Sequence, residues 1–131
     1  MDLVIIPKIL VSNVTTSTTC SIFGVEMSAP FGFAPWAMNK MVHEEGEAVL
    51  ARVAHNHKLP YIVSTITNTS LSDIHKVHPS GIKMLQMYLT NNWEVNLKMV
   101  RIAEKNGFNA LAITVDAQVL GIRRSEKKKK I

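Results

Sequence analysis

The residues that could carry chemistry sit at the ends of short apolar runs. Ser64-Thr65 follow Tyr61-Ile62-Val63, and Gln86 and Tyr88 lie near the end of the run from Ile82 to Leu89. Thr114-Val115-Asp116 close Ala110-Leu111-Ala112-Ile113, and Pro35-Trp36-Ala37-Met38 follow Phe31-Gly32-Phe33-Ala34. Hydroxyls and an amide offer both donors and acceptors, which suits a planar ligand with a polar edge. Asp116 is the most suggestive: a carboxylate after an apolar strand could orient a histidine base, bind a cation, or cap the next turn. One serine or threonine at a strand end is commonly a helix cap, whereas four successive runs ending in this way point to a shared face.

Other candidates carry less. His55-x-His57 and His75-x-x-His78 have ligand-like spacing, but no cysteine or carboxylate set completes a zinc site, so surface histidines and no metal are expected. His43-Glu44-Glu45-Gly46-Glu47 lacks the second histidine of a metalloprotease helix. Neither a dinucleotide-binding Gly-x-Gly-x-x-Gly after the first run nor a P-loop occurs. Cys20 is a lone cysteine, which excludes an internal disulfide and reads as a structural thiol.

The elements that must position these residues follow from periodicity. The apolar runs are short and continuous, as strands covered on both faces are. They start near residues 31, 61, 82 and 110 and alternate with helical stretches. His43 to Asn56 carries acids in its first turn. Ser70 is an expected N-cap with Asp73 at N3, opening a helix that ends before Pro79. Asn92 to Asn106 has apolar residues around most of its circumference and Gly107 at a left-handed C′ position. Thr18 to Met27 reads as a small hairpin turning near Gly24. The alternation predicts parallel strands with right-handed crossovers, in an open sheet or in part of a (β/α)8 barrel. A whole barrel takes roughly 250 residues, and the chain has 131.

Composition narrows the partners. Hydrophobic residues make up 47% and charged residues 19%, ordinary for a globular chain. No apolar run reaches the length of a membrane helix, and the first residues lack a signal-peptide pattern. The net charge of +5 is confined to the end: residues 1–120 hold nine basic and nine acidic side chains. Residues 125–131 are therefore expected to form a disordered basic tail on a domain spanning 1–124 that is neutral up to Arg123 and Arg124, which argues against a nucleic-acid-binding domain.

Several stretches together carry a family likeness. They are Ser28 to Met38, His43-Glu44-Glu45-Gly46-Glu47, Gln86-Met87-Tyr88, Ala103 to Ala110, and Thr114-Val115-Asp116 with Leu120-Gly121 and Arg123. In order and spacing, from about Pro7 to Arg124, the chain resembles the N-terminal half of the FMN-dependent 2-hydroxy-acid oxidases, the glycolate and lactate oxidase group. The resemblance implies an α/β fold of about four βα units of a (β/α)8 barrel, preceded by the hairpin. It implies that the main chain of Pro35, Trp36 and Ala37 lies along the flavin ring, and that Ser64, Gln86 and Thr114 bond its polar edge. By the same resemblance Tyr88 approaches the substrate, Arg123 meets its carboxylate, and Asp116 pairs with a catalytic histidine.

The implied reaction oxidises a small 2-hydroxy acid to the 2-oxo acid, with the flavin carrying the redox chemistry. Trp36, Ile66 and Thr90 depart from the family's usual residues and bear on substrate preference. The family's histidine base and phosphate-binding glycines come from later strands. The alternative expectation is therefore an inactive fragment or a binding protein with a basic tail, and a homodimer of half-barrels is a further one. Family members are often peroxisomal, whereas this sequence ends Lys-Lys-Lys-Ile rather than in a Ser-Lys-Leu type address.

Overall fold

A computed structural model describes residues 4–6, 15–117, 119, 121, 122 and 124. The expected domain end, the basic tail at 125–131 and Arg123 lie wholly or partly outside the described residues. The chain begins with an antiparallel hairpin, β1 (Cys20–Ile22) and β2 (Val25–Met27), turning at Phe23-Gly24. Then come α1 (Glu47–Asn56), β3 (Tyr61–Val63), α2 (Leu71–Val77), β4 (Lys83–Met87), α3 (Trp93–Lys105) and β5 (Ala110–Ile113).

Strands β3, β4 and β5 form one parallel sheet in sequential order, with Tyr61 opposite Lys83 and Met84 opposite Ala110. The expected first strand, Phe31 to Ala34, is reduced to a single parallel bridge between Phe33 and Tyr61. Pro30 and Pro35 bracket it and supply no amide for a ladder. It still takes the fourth place in the arc: Phe33 N donates to Pro60 O at 2.9 Å, and Ile62 N donates to Phe33 O at 3.0 Å.

Side chains alternate across this sheet with period two. Tyr61, Val63, Leu85 and Met87 point to one face, where they form the core with Ala51 and Ala54 of α1, Leu71 and Ile74 of α2, and Ala103 of α3. All three helices therefore cover the same face. Strands in chain order with helices on one side only are an arc of a barrel wall, whereas a doubly wound sheet reverses strand order and carries helices on both faces. The structure resolves the two sheet architectures in favour of the barrel.

The other face holds Ile62, Ser64, Met84, Gln86, Ala110, Ala112 and Thr114. Its lower part is apolar, a groove of ≈ 480 Å³ lined by Cys20, Met27, Phe31, Phe33, Ile62 and Met84 among others. Its upper rim, at the strand C-termini, is polar.

The starts of α2 and α3 agree with the sequence expectations, whereas α1 begins at Glu47 rather than His43, because residues 44–46 form a turn in which Gly46 takes φ 58°. Ser70 Oγ accepts from Asp73 N at 3.1 Å. Asn92 Oδ1 accepts from Glu94 N at 3.0 Å and Val95 N at 3.3 Å. Gly107 takes φ 66° after α3, the left-handed region that glycine enters without a Cβ penalty.

Three expectations are corrected. The strands are not covered on both faces: the helices lie on one face only, and even there Leu111 and Ile113 of the edge strand β5 are exposed. Nor is α3 packed around most of its circumference. Met99, Val100 and Ala103 meet the core, while Trp93 is 72% exposed, and Val95 and Ile102 are exposed with it. Apolar periodicity shows that a surface is apolar but not whether a neighbour covers it. The histidines are not all superficial either. His78 is 1% exposed, with Nδ1 3.4 Å from Nδ1 of half-buried His55. As C-cap of α2 it is drawn under the β4 entry, beside buried Lys83, whose Nζ reaches only Pro79 O at 3.4 Å among the described residues.

Candidate functional site

The polar rim is built by hydrogen bonds that run laterally from one strand end to the next. Gln86 is its hub. On β4, its buried amide Oε1 accepts from Thr65 N at 3.1 Å, and its Nε2 donates to Thr114 Oγ1 at 2.9 Å. Thr65 Oγ1 donates in turn to Gln86 O. Three consecutive strand ends are thus tied by one side chain. Ser64 is buried as well, and its Oγ accepts from Ile66 N at 3.1 Å, fixing the turn after β3.

The segment after Phe33 joins the rim through Met38, whose N donates to Ile66 O at 3.0 Å. Met38 stands at φ 55°, ψ 46°, the left-handed region, which costs a residue with a Cβ about 1 kcal/mol. Such strain persists only where the surroundings enforce it. Asn39 does part of this, since its Nδ2 donates to Trp36 O at 2.8 Å.

Beneath both loops lies Glu47, the first residue of α1, at 0% exposure. Its Oε1 accepts from Asn39 N at 3.2 Å and Asn68 N at 3.1 Å, and its Oε2 accepts from Thr69 Oγ1 at 2.7 Å. Burial pushes the carboxyl pKa up, but the bonds from Thr69, Asn39 and Asn68 outweigh it and hold the group at about 2. Glu47 is therefore an anion in the fold, neutralised by oriented dipoles rather than by a cation. The ion pairs among the described residues, Arg52 with Glu45 and Lys76 with Asp73, are both elsewhere and exposed.

Gly46 makes the approach feasible. At φ 58°, ψ −134°, a Cβ there would stand 2.7 Å from Lys40 Cγ and 2.8 Å from Thr69 Oγ1.

The structure brings together Ser64, Gln86 and Thr114, with Pro35, Trp36 and Ala37 joined to them through Met38 and Ile66. Trp36 is 57% exposed beside the rim. By register, Tyr88 extends the same sheet face beyond Gln86, and it is exposed. The loop after it is held by buried Asn96 of α3, whose Nδ2 donates to Thr90 O at 2.8 Å and whose Oδ1 accepts from Thr90 N at 3.0 Å. Asp116 is exposed and joins no hydrogen bond or ion pair among the described residues. Arg123 lies outside the described residues. No group of three or more potential metal ligands occurs among the described residues. Glu47, Thr69, Asn39 and Asn96 are parts of the site that sequence reasoning did not single out. The Gly46-Glu47 pair was within view, but as helix-start chemistry.

The unspent hydrogen-bonding capacity has a definite character. Ser64 and Thr114 each accept one bond and keep a hydroxyl proton to donate. Gln86 keeps one amide hydrogen and one lone pair. A row of donors with an acceptor, beside a surface of Pro35 and Trp36, fits the edge of a planar heteroaromatic ring with alternating carbonyls and ring nitrogens.

A barrel arc with a polar rim at its strand C-termini has the layout of an α/β-barrel enzyme, whose ligand site lies on that face. The family model for FMN-dependent dehydrogenases matches residues 1–131. The L-lactate oxidase of Lysinibacillus sphaericus is 42% identical over 124 residues, 93% of this chain and 32% of that protein. The 2-hydroxyacid oxidase 2 of Rattus norvegicus is 39% identical over 92% of this chain and 33% of its own length. A mandelate oxidase mutant with (S)-mandelic acid superposes with a TM-score of 0.87 at 31% identity, over 96% of this chain and 37% of that one. The chain belongs to the FMN-dependent dehydrogenase family, whose cofactor is FMN. It spans about a third of the length of the relatives it matches.

Proposed function

We propose that the chain forms the flavin-ring side of a site that oxidises small 2-hydroxy acids to 2-oxo acids. The observation that carries this reading is the Gln86 amide spanning Thr65 and Thr114, which sets a fixed row of donors across three strand ends. When bound, FMN would supply the redox chemistry by accepting two electrons from the substrate carbon. The residues' part is to orient it. Ser64, Gln86 and Thr114 would bond the ring's polar edge, and the Pro35–Ala37 main chain would lie along the ring.

Tyr88 would stand on the substrate side of this face, and Arg123 would pair with the substrate carboxylate through a bidentate guanidinium. Asp116 would hold a histidine base in its basic tautomer. L-Lactate and other small 2-hydroxy acids, the substrates named for the similar oxidases, are the substrate class. A peroxisomal setting is the localisation that the eukaryotic members suggest.

The test is direct. The chain is titrated with FMN while flavin fluorescence is followed. Glycolate, L-lactate and (S)-mandelate are then added without oxygen, and bleaching of the flavin absorbance is read. Binding with bleaching supports the whole reading. Binding without bleaching leaves the alternative, a flavin-holding segment that does not turn over. Absence of binding refutes the flavin reading and leaves an inactive fragment or a binding protein with a basic tail.

A further inference from the structure

We propose that Glu47 is the positioning residue of the flavin face, a buried anionic clasp that locks two flavin-side loops into one rigid unit. The inference rests on the flavin reading above and adds a residue that no part of it assigns to the ring. Its carboxylate bonds reach two different loops of the site. Asn39 N belongs to the loop after Phe33, whereas Asn68 N and Thr69 Oγ1 belong to the loop after β3.

Each loop continues to a group that faces the ring. From Asn39 the path runs through its own Nδ2 to the Trp36 carbonyl, and so to the Pro35–Ala37 main chain. From Asn68 and Thr69 it runs back along the chain to Ile66, whose N is bonded to Ser64 Oγ. The loops also meet directly at Met38 N and Ile66 O. Met38 holds its left-handed φ of 55° at this contact, and the Glu47–Asn39 bond adds a constraint at the next residue.

The chemistry favours a clasp over a plain helix cap. A cap needs one acceptor at the first turn of its own helix. Glu47 instead spends its carboxylate on residues 8, 21 and 22 positions away. Three bonds to a buried anion are stronger than the same bonds to a neutral acceptor. Glutamine would present an NH2 group to Thr69 Oγ1 and strand that hydroxyl's proton. Alanine would leave the buried Asn39 amide and the part-buried Asn68 amide without this acceptor.

The test follows amide hydrogen exchange in the full chain for wild type, E47Q, E47A and T69V, alongside FMN titration. The expected result is faster exchange in segments 36–46 and 64–70 for E47A, by about tenfold or more, the equivalent of one charge-assisted bond. Strands β4 and β5 keep their protection. FMN affinity falls by a similar factor in E47A, with E47Q and T69V between. T69V removes the two bonds between Thr69 Oγ1 and Glu47 but leaves those from Asn39 N and Asn68 N, and keeps the experiment decisive if E47A does not fold. Unchanged loop exchange in T69V and E47Q overturns the clasp whatever FMN does, as does loss of sheet protection in step with the loops. Loosened loops with undiminished FMN affinity overturn the positioning role. If wild type takes up no FMN, the flavin reading and the positioning role fall together, while the exchange data still decide whether the loops are clasped.

Discussion

Gln86 Nε2 donates to Thr114 Oγ1 at 2.9 Å, across the parallel pair β4 and β5. The bond orients the Gln86 amide, because the opposite end of the same group accepts from Thr65 N. With both ends engaged, the amide cannot flip without losing two bonds. Replacing Gln86 by Leu keeps the volume and removes this device. Thr65 N then loses its partner, and unfolding free energy falls by about 1–3 kcal/mol. FMN affinity should fall by about tenfold or more as Thr114 and Thr65 lose their shared orientation. Urea denaturation and fluorescence titration read the two effects separately. A Q86L protein that binds flavin as tightly as wild type would remove the amide from the site.

Gly46 is the second point of leverage. Its φ and ψ belong to a region that other residues avoid, and an added Cβ would meet Thr69 Oγ1 at 2.8 Å. Strain and clash together should cost G46A about 2–4 kcal/mol. The clash pushes Thr69 away from Glu47, so loops 36–46 and 64–70 should loosen before the sheet does. Limited proteolysis would locate the first cuts there, and first cuts in α3 instead would count against this order.

Acid should destabilise the chain in two stages. Burial, reinforced by the charge of Lys83 on β4 and the nearby His55 of α1, lowers the His78 pKa from 6.5 to about 4. Between these values the unfolded chain binds the proton and the folded chain does not, so stability drops as pH falls from 6.5 towards 4. The loss amounts to about 3 kcal/mol at most. Glu47, lowered from 4.5 to about 2, adds a second loss as pH falls through that lower window. Thermal melts of wild type and H78N across both windows check this. H78N should abolish the upper slope and leave the lower one.

Much of this architecture is legible in the chain, and the division has a physical basis. Local signals succeed: Ser70 and Asn92 cap the helices they precede, Gly107 enters the left-handed region, and Tyr61–Val63 and Ala110–Ile113 are strands. The polar rim is legible because period two carries Ser64, Gln86 and Thr114 to one face once the runs are taken as parallel strands. What escapes is set by distance along the chain. The Glu47–Asn68 and Glu47–Thr69 bonds span more than twenty residues, and nothing local to Glu47 separates a helix-start acid from a buried anion. His78 and Lys83 look like surface residues because their types usually are, and only the packing of α2 under β4 buries them. The Phe31–Ala34 run fails as a full strand because its flanking prolines limit the ladder, which the apolar count does not register.

Asn92 offers the cleanest local test, since it lies on the exposed start of α3 and touches neither the core nor the rim. Its Oδ1 accepts from two first-turn amides, Glu94 N and Val95 N. N92A leaves both without a side-chain acceptor and should cost about 1 kcal/mol. N92D and N92S should retain most of the stability, and the carboxylate of N92D should gain from the helix dipole at low salt. The same helix carries Asn96, which holds the Thr90 loop beyond Tyr88. Fraying that stops at the first turn should leave FMN affinity unchanged in N92A. Fraying that reaches Asn96 should release the loop and alter the response to 2-hydroxy acids without altering FMN binding. Measuring FMN affinity and flavin reduction on N92A and N96A together separates these outcomes. A fall in flavin affinity in either variant would show that α3 supports the ring as well as the loop carrying Tyr88.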